Sequence, residues 1–95
     1  MPEKGIALLR KKIDSIDAVL LKAVARRFSL MPEFASLKRE NGLPLRQPGR
    51  EKELISKRVA FGKKLGVEGR FVKKLFRALI LESLRIQRKQ IRKGK

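Results

Sequence analysis

From Ile6 to about Asn41 the apolar residues Ile6, Leu9, Ile13, Ile16, Leu20, Val24, Met31 and Phe34 recur at intervals of three and four, or multiples of them. That period puts them on one stripe and predicts a single helix over about 6–41. The segment KRENG closes it at Gly42, and GLPLRQ, which carries Pro44, reads as a loop. A second helix, about 48–65, opens at QPGREKEL: Pro48 suits the first helical position and Glu51 and Glu53 lie in the first turns. Leu54, Ile55 and Val59 form its apolar face, and KKLGVEG stops it with Gly66 as the C-cap. The third helix spans about 68–91, with Val72, Leu75, Phe76, Leu79, Ile80 and Ile86 facing inward. No alternating run suggests a strand, and no internal repeat is present. The pattern predicts an all-α fold of three helices in one domain over 1–95, with a basic C-terminal tail from about 88.

Pro32 falls inside the first predicted helix. In a helix interior it removes an amide donor and crowds a carbonyl, at a cost of about 3 kcal/mol. Leu30 and Met31 are poor N-caps, and the apolar stripe keeps its phase from Val24 through Met31 to Phe34. A kink with the helix continuing is therefore expected. Such a helix, roughly 35 residues, would be about 50 Å long, more than a compact domain of this size spans. Two shorter helices cannot cover it, which predicts a homodimer: an intertwined helical bundle in which two long helices pack along each other.

Polar residues interrupt the stripes. Placed at 100° steps from Ile13, Arg27 falls at about −40° and Lys38 at about −20°, both toward the core. On the third helix Ser83, Gln87 and Gln90 fall within about 40° of Phe76, and on the second Glu51 lies about 40° from Ile55 with Arg50 off to the flank. Each has an ordinary explanation: a stripe cation snorkels, a buried Ser bonds the carbonyl one turn back, a core Gln fixes register. All three inner faces carrying such groups together is harder to explain that way. Glu51 is the one inward acid, so the arrangement is short of negative charge, and a bound dianion would supply it. Arg10 precedes Arg27 by about 25 Å of helix, so if both serve one ligand Arg10 comes from a partner subunit.

The formal charge is +17, from 26 Lys plus Arg against 9 Asp plus Glu. An anionic partner follows, either polymeric or small. With neither Cys nor His, disulfides, thiolate or imidazole metal sites and Cys or His catalysis are excluded. No apolar run has signal-peptide character or membrane-spanning length, so a cytoplasmic chain without a membrane association is expected. The basic stretch RIQRKQIRKGK favours a nucleic-acid-binding helical protein. Against this, the chain lacks Tyr and Trp, its Phe residues fit the core, and no helix-turn-helix spacing occurs.

Over about residues 6–90 the chain resembles the all-helical class of chorismate mutase, an intertwined dimer of three-helix chains. LLRKKIDSIDAVLL carries the first motif, ARRF the second, QPGREKEL the third and ALILESLRIQRKQ the fourth. The resemblance makes Arg10 the cation contributed across the dimer, Arg27 a carboxylate-binding residue and Lys38 the donor to the ether oxygen. It makes Arg50 and Glu51 the paired Arg-Glu, with Glu51 on the ring hydroxyl. It puts Ser83 near a carboxylate and makes Gln87 the second donor to the ether oxygen. Gln47 stands where the family often has an acid, at a contact made largely by the backbone.

The resemblance implies the rearrangement of chorismate, a dianion, to prephenate in the shikimate pathway of aromatic amino acid biosynthesis. This isomerase chemistry breaks one carbon–oxygen bond as a carbon–carbon bond forms, and it needs no cofactor, metal or nucleophile. Conformer selection and stabilisation of charge on the ether oxygen are what such an enzyme supplies. An isochorismate-pyruvate lyase of the same fold is the alternative; it keeps the cations but lacks the hydroxyl-binding acid that Glu51 provides.

Overall fold

The computed structural model describes residues 2–93, and every regular element among them is an α-helix: α1 (Pro2–Ser29), α2 (Met31–Glu40), α3 (Pro48–Lys64) and α4 (Gly69–Lys93). The second and third predicted helices are thus found as α3 and α4. The predicted tail is helical as far as Lys93, and residues 94 and 95 lie outside the described residues.

The first predicted helix is divided at a single residue, Leu30. The cause is Pro32. Instead of standing in a helix interior, it occupies the first turn of a new helix, where an amide has no partner within the helix to lose. Apolar periodicity is insensitive to this because the stripe keeps its phase across the break. The Leu30 amide bonds the Arg27 carbonyl at 3.3 Å, three residues back, and the Ser29 hydroxyl donates to the Arg26 carbonyl at 2.7 Å.

Two compact units result, Met1–Leu30 and Met31–Lys95. The first is α1. Arg26 and Arg27 sit in its last turn, where cations complement the helix dipole. Its large apolar residues from Ile6 to Leu21 are 49–68% exposed, so the predicted stripe is not buried within the chain.

In the second unit α4 packs against both α2 and α3. Val72, Ile80 and Leu84 of α4 and Met31 and Ala35 of α2 form its buried apolar core. Helix ends follow the glycines. The Gly42 amide bonds the Arg39 carbonyl and the Leu43 amide the Lys38 carbonyl, with Gly42 at φ 67°. α3 ends the same way, with Gly66 at φ 80°. Its cap is Leu65, one residue earlier than expected, and Gly66 supplies the left-handed position just beyond it.

Gly62 fixes how closely α3 approaches α4. A Cβ there would lie 2.8 Å from Cγ2 of Val72, a stiff β-branched side chain. Alanine gains up to about 1 kcal/mol of helix propensity but forces overpacking that typically costs about 1–3 kcal/mol. Gly62→Ala is expected to lower the thermal unfolding midpoint by several degrees; an unchanged or raised midpoint contradicts this packing.

Candidate active site

The turn that ends α2 and the loop to α3 bring a backbone carbonyl toward Lys38. Lys38 lies one turn beyond Ala35 on the buried face of α2 and is only 6% exposed. Its ammonium donates to the Leu45 carbonyl at 2.6 Å and to Gln87 Oε1 at 2.9 Å, and it sits 4.4 Å from the centre of the Phe34 ring. Burial lowers the Lys38 pKa from the ordinary lysine value, and the Glu51 carboxylate acts in the opposite direction. No hydrogen bond joins Glu51 to Lys38. Among the described residues, this buried cation is thus held by two oxygens and a ring, without a direct carboxylate partner.

Gln87 of α4 is 3% exposed. Its carbonyl oxygen accepts from Lys38, which aims its amide nitrogen at Met31 Sδ, 3.4 Å away. A thioether is a weak acceptor, so this N–H is held loosely. One turn earlier on α4, buried Ser83 donates to the Leu79 carbonyl at 2.7 Å.

Glu51 stands in the first turn of α3, and its amide bonds the carbonyl of Gln47, the N-cap residue. Gln47 makes no side-chain cap bond; Pro48 after it needs no amide partner. The Glu51 side chain is 19% exposed and accepts from Arg46 Nη2 at 3.3 Å. A cleft of about 330 Å³ opens beside it, lined by Arg46, Glu51, Ile55, Ile80 and Arg77 among others. Lys38 and Gln87 do not line this cleft; their polar ends are bonded to each other.

Of the residues singled out in the sequence, Lys38, Gln87, Ser83 and Glu51 occupy neighbouring turns of the second unit. Arg50 is exposed on the flank of α3, where its nearest acid is Glu53 at 3.5 Å, three residues on. Arg10 is exposed on α1 and Arg27 half-buried in its last turn. Two partners were not foreseen. The Leu45 carbonyl is a backbone acceptor with no side-chain signature. Arg46 had a signal in LRQPGRE, a cation five residues before an acid at a helix start. Among the described residues no cluster of three or more acidic side chains is placed to hold a metal ion, and no helix is long and apolar enough to cross a membrane.

Residues 9–88 match the protein family described as chorismate mutase type II. A chorismate mutase from Methanocaldococcus jannaschii is 34% identical over 86 residues, covering 90% of this chain and 87% of that protein. A 4-amino-4-deoxychorismate mutase from Streptomyces venezuelae is 30% identical over 79 residues, covering 83% and 77%. A bifunctional chorismate mutase/prephenate dehydratase from Buchnera aphidicola is 32% identical over 89 residues, 94% of this chain. The chain spans only 23% of that relative's length.

Proposed function

Because the chain belongs to the type II chorismate mutase family, we propose that it rearranges chorismate to prephenate at a site built on Lys38 and Gln87. The observation that carries this reading is the buried Lys38–Gln87 pair, joined across α2 and α4 at 2.9 Å without an acid hydrogen-bonded to the cation. Two of the three ammonium protons have protein acceptors, which leaves one for a ligand oxygen. Gln87 offers a second N–H in exchange for its weak bond to sulfur.

In the proposed mechanism the two carboxylates of the substrate are held by Arg27, Arg50, Ser83 and a partner subunit's Arg10, and the ring hydroxyl by Glu51 with the backbone near Gln47. That grip selects the chair-like conformer in which the carbons that join are already close. As the carbon–oxygen bond breaks, negative charge grows on the ether oxygen. Lys38 and Gln87 donate to it more strongly in the transition state than in the ground state, the only kind of contact that accelerates the step. For Arg50 to reach a carboxylate it must leave Glu53, a small cost for an exposed pair.

Substrate choice rests on Glu51. Its carboxylate can accept from a hydroxyl and, with charge assistance, from the ammonium expected of a 4-amino substrate. Arg46, 3.3 Å away, adds a positive charge that disfavours the ammonium. Chorismate is therefore expected to be turned over with higher kcat/KM than its 4-amino-4-deoxy analogue, and isochorismate to give no pyruvate. Parallel assays of the three substrates test this, and a preference for the amino analogue or release of pyruvate would overturn it.

The assembly proposed is a homodimer, supported by the apolar stripe of α1, whose Ile6, Leu9, Ile13, Ile16 and Leu20 are left 49–64% exposed on a helix about 40 Å long. Arg10→Ala is expected to reduce turnover about tenfold or more through loss of a charged hydrogen bond to a carboxylate. Mixing it with Lys38→Ala after unfolding and refolding should restore about one quarter of wild-type activity, since half the dimers then hold one intact site. No recovery, with dimers formed, would place Arg10 in its own subunit's site or in none. The setting proposed is the cytoplasm, in aromatic amino acid biosynthesis, without a cofactor.

A further inference from the structure

Continuing from the cleft at Glu51, and sharing Lys52, Ile55 and Arg77 with it, an open groove of about 380 Å³ runs between α3 and α4. Lys52 and Ser56 of α3 face Lys73 and Arg77 of α4 across it, and Ile55 and Val59 supply apolar surface. The three cations are exposed, and among the described residues none of them is in an ion pair. The acids of the two helices are engaged elsewhere: Glu51 with Arg46, Glu53 with Arg50 and Lys57, Glu82 with Arg85. Lys73 and Arg77, one turn apart on α4, repel each other, and Lys52 adds to the same field.

A surface of this kind is poorly suited to a contact between copies, because like charges brought together out of water are costly. Its volume falls in the range of small-molecule sites and is too small for a helix or a protein loop of ordinary length. We propose that the groove binds a small organic dianion, a phosphate monoester with an apolar substituent. The phosphate oxygens accept from Lys73, Arg77 and Lys52, the Ser56 hydroxyl adds a donor, and the apolar body rests on Ile55 and Val59. This site is independent of Lys38 and Gln87.

The test uses the full chain in phosphate-free buffer at low salt, titrated with phenyl phosphate by calorimetry or amide NMR. Saturable binding with Kd on the order of 1 mM or tighter is expected, with inorganic phosphate and phenol each binding more weakly. Lys73→Gln, which touches only this groove, should weaken phenyl phosphate by about threefold or more. Lys38→Ala, which lines neither the groove nor the cleft beside it, should leave it unchanged. Absence of saturation, equal affinity for inorganic phosphate, or a loss in Lys38→Ala matching that in Lys73→Gln overturns the proposal. Failure here leaves chorismate turnover untouched, and an inactive enzyme that still shows this binding pattern fails on the mutase reading alone.

Discussion

Lys38→Ala is expected to lower chorismate turnover by about 10²- to 10³-fold, the usual consequence of removing one donor to a developing oxyanion. The loss should fall mainly on kcat, because the contact strengthens only as the ether bond breaks. Lys38→Ala also frees the Leu45 carbonyl and Gln87 Oε1 from their shared donor, so a modest drop in stability accompanies it. Circular dichroism separates the two effects: helix content retained with activity lost is the expected combination.

The same residue sets the dependence on pH. In the proposed mechanism the charged ammonium is the active form, and burial lowers its pKa in the folded chain. Turnover should therefore decline as pH rises through that lowered value. Stability should change in the opposite sense. Between the folded pKa and the ordinary lysine value the unfolded chain binds more protons at this position, so the contribution of Lys38 to stability increases with pH as the rate falls. A rate flat through the alkaline range to the ordinary lysine value would contradict the assignment of Lys38 as the charged donor.

Gln87→Ala is expected to cost about 10² in turnover, by removing the second donor and releasing the ammonium it positions. Gln87 is almost wholly buried, and its truncation leaves a cavity beside Met31 as well as a cation short of an acceptor. The unfolding midpoint should therefore fall too. Gln87→Met fills the space without a donor and separates the causes: stability should largely return while turnover stays low. Recovery of turnover in Gln87→Met would show that Gln87 acts only through packing.

Much of this arrangement was legible in the residue pattern, for physical reasons that also mark its limits. Lys38 and Gln87 stood out because a long polar side chain in phase with an apolar stripe has to end somewhere inside, and each ends on the other. The end of α2 and both ends of α3 were legible because Gly42, Pro48 and Gly66 have conformational preferences that act locally. The break at Leu30 was not, since Pro32 is compatible both with a kink and with the first turn of a fresh helix. The projection put Arg50 off to the flank of α3, where it lies, exposed and 3.5 Å from Glu53; its pairing with Glu51 came only from the resemblance. Neighbours on a helix point about 100° apart, and an acid three residues along lies closer to the guanidinium. The Leu45 carbonyl had no side-chain signal at all, because which backbone acceptor meets a buried cation depends on the path of the loop.

The central claim is that this helical chain turns over chorismate through the Lys38–Gln87 pair. Its most direct measurement follows chorismate loss by ultraviolet absorbance with purified wild-type protein and Lys38→Ala side by side; the absence of Tyr and Trp keeps the protein background low. Rapid conversion to prephenate is expected of the wild type, and a rate about 10²-fold or more lower in the variant. Wild-type protein that is folded and helical yet leaves chorismate at its uncatalysed rate, or a variant as fast as the wild type, would contradict it.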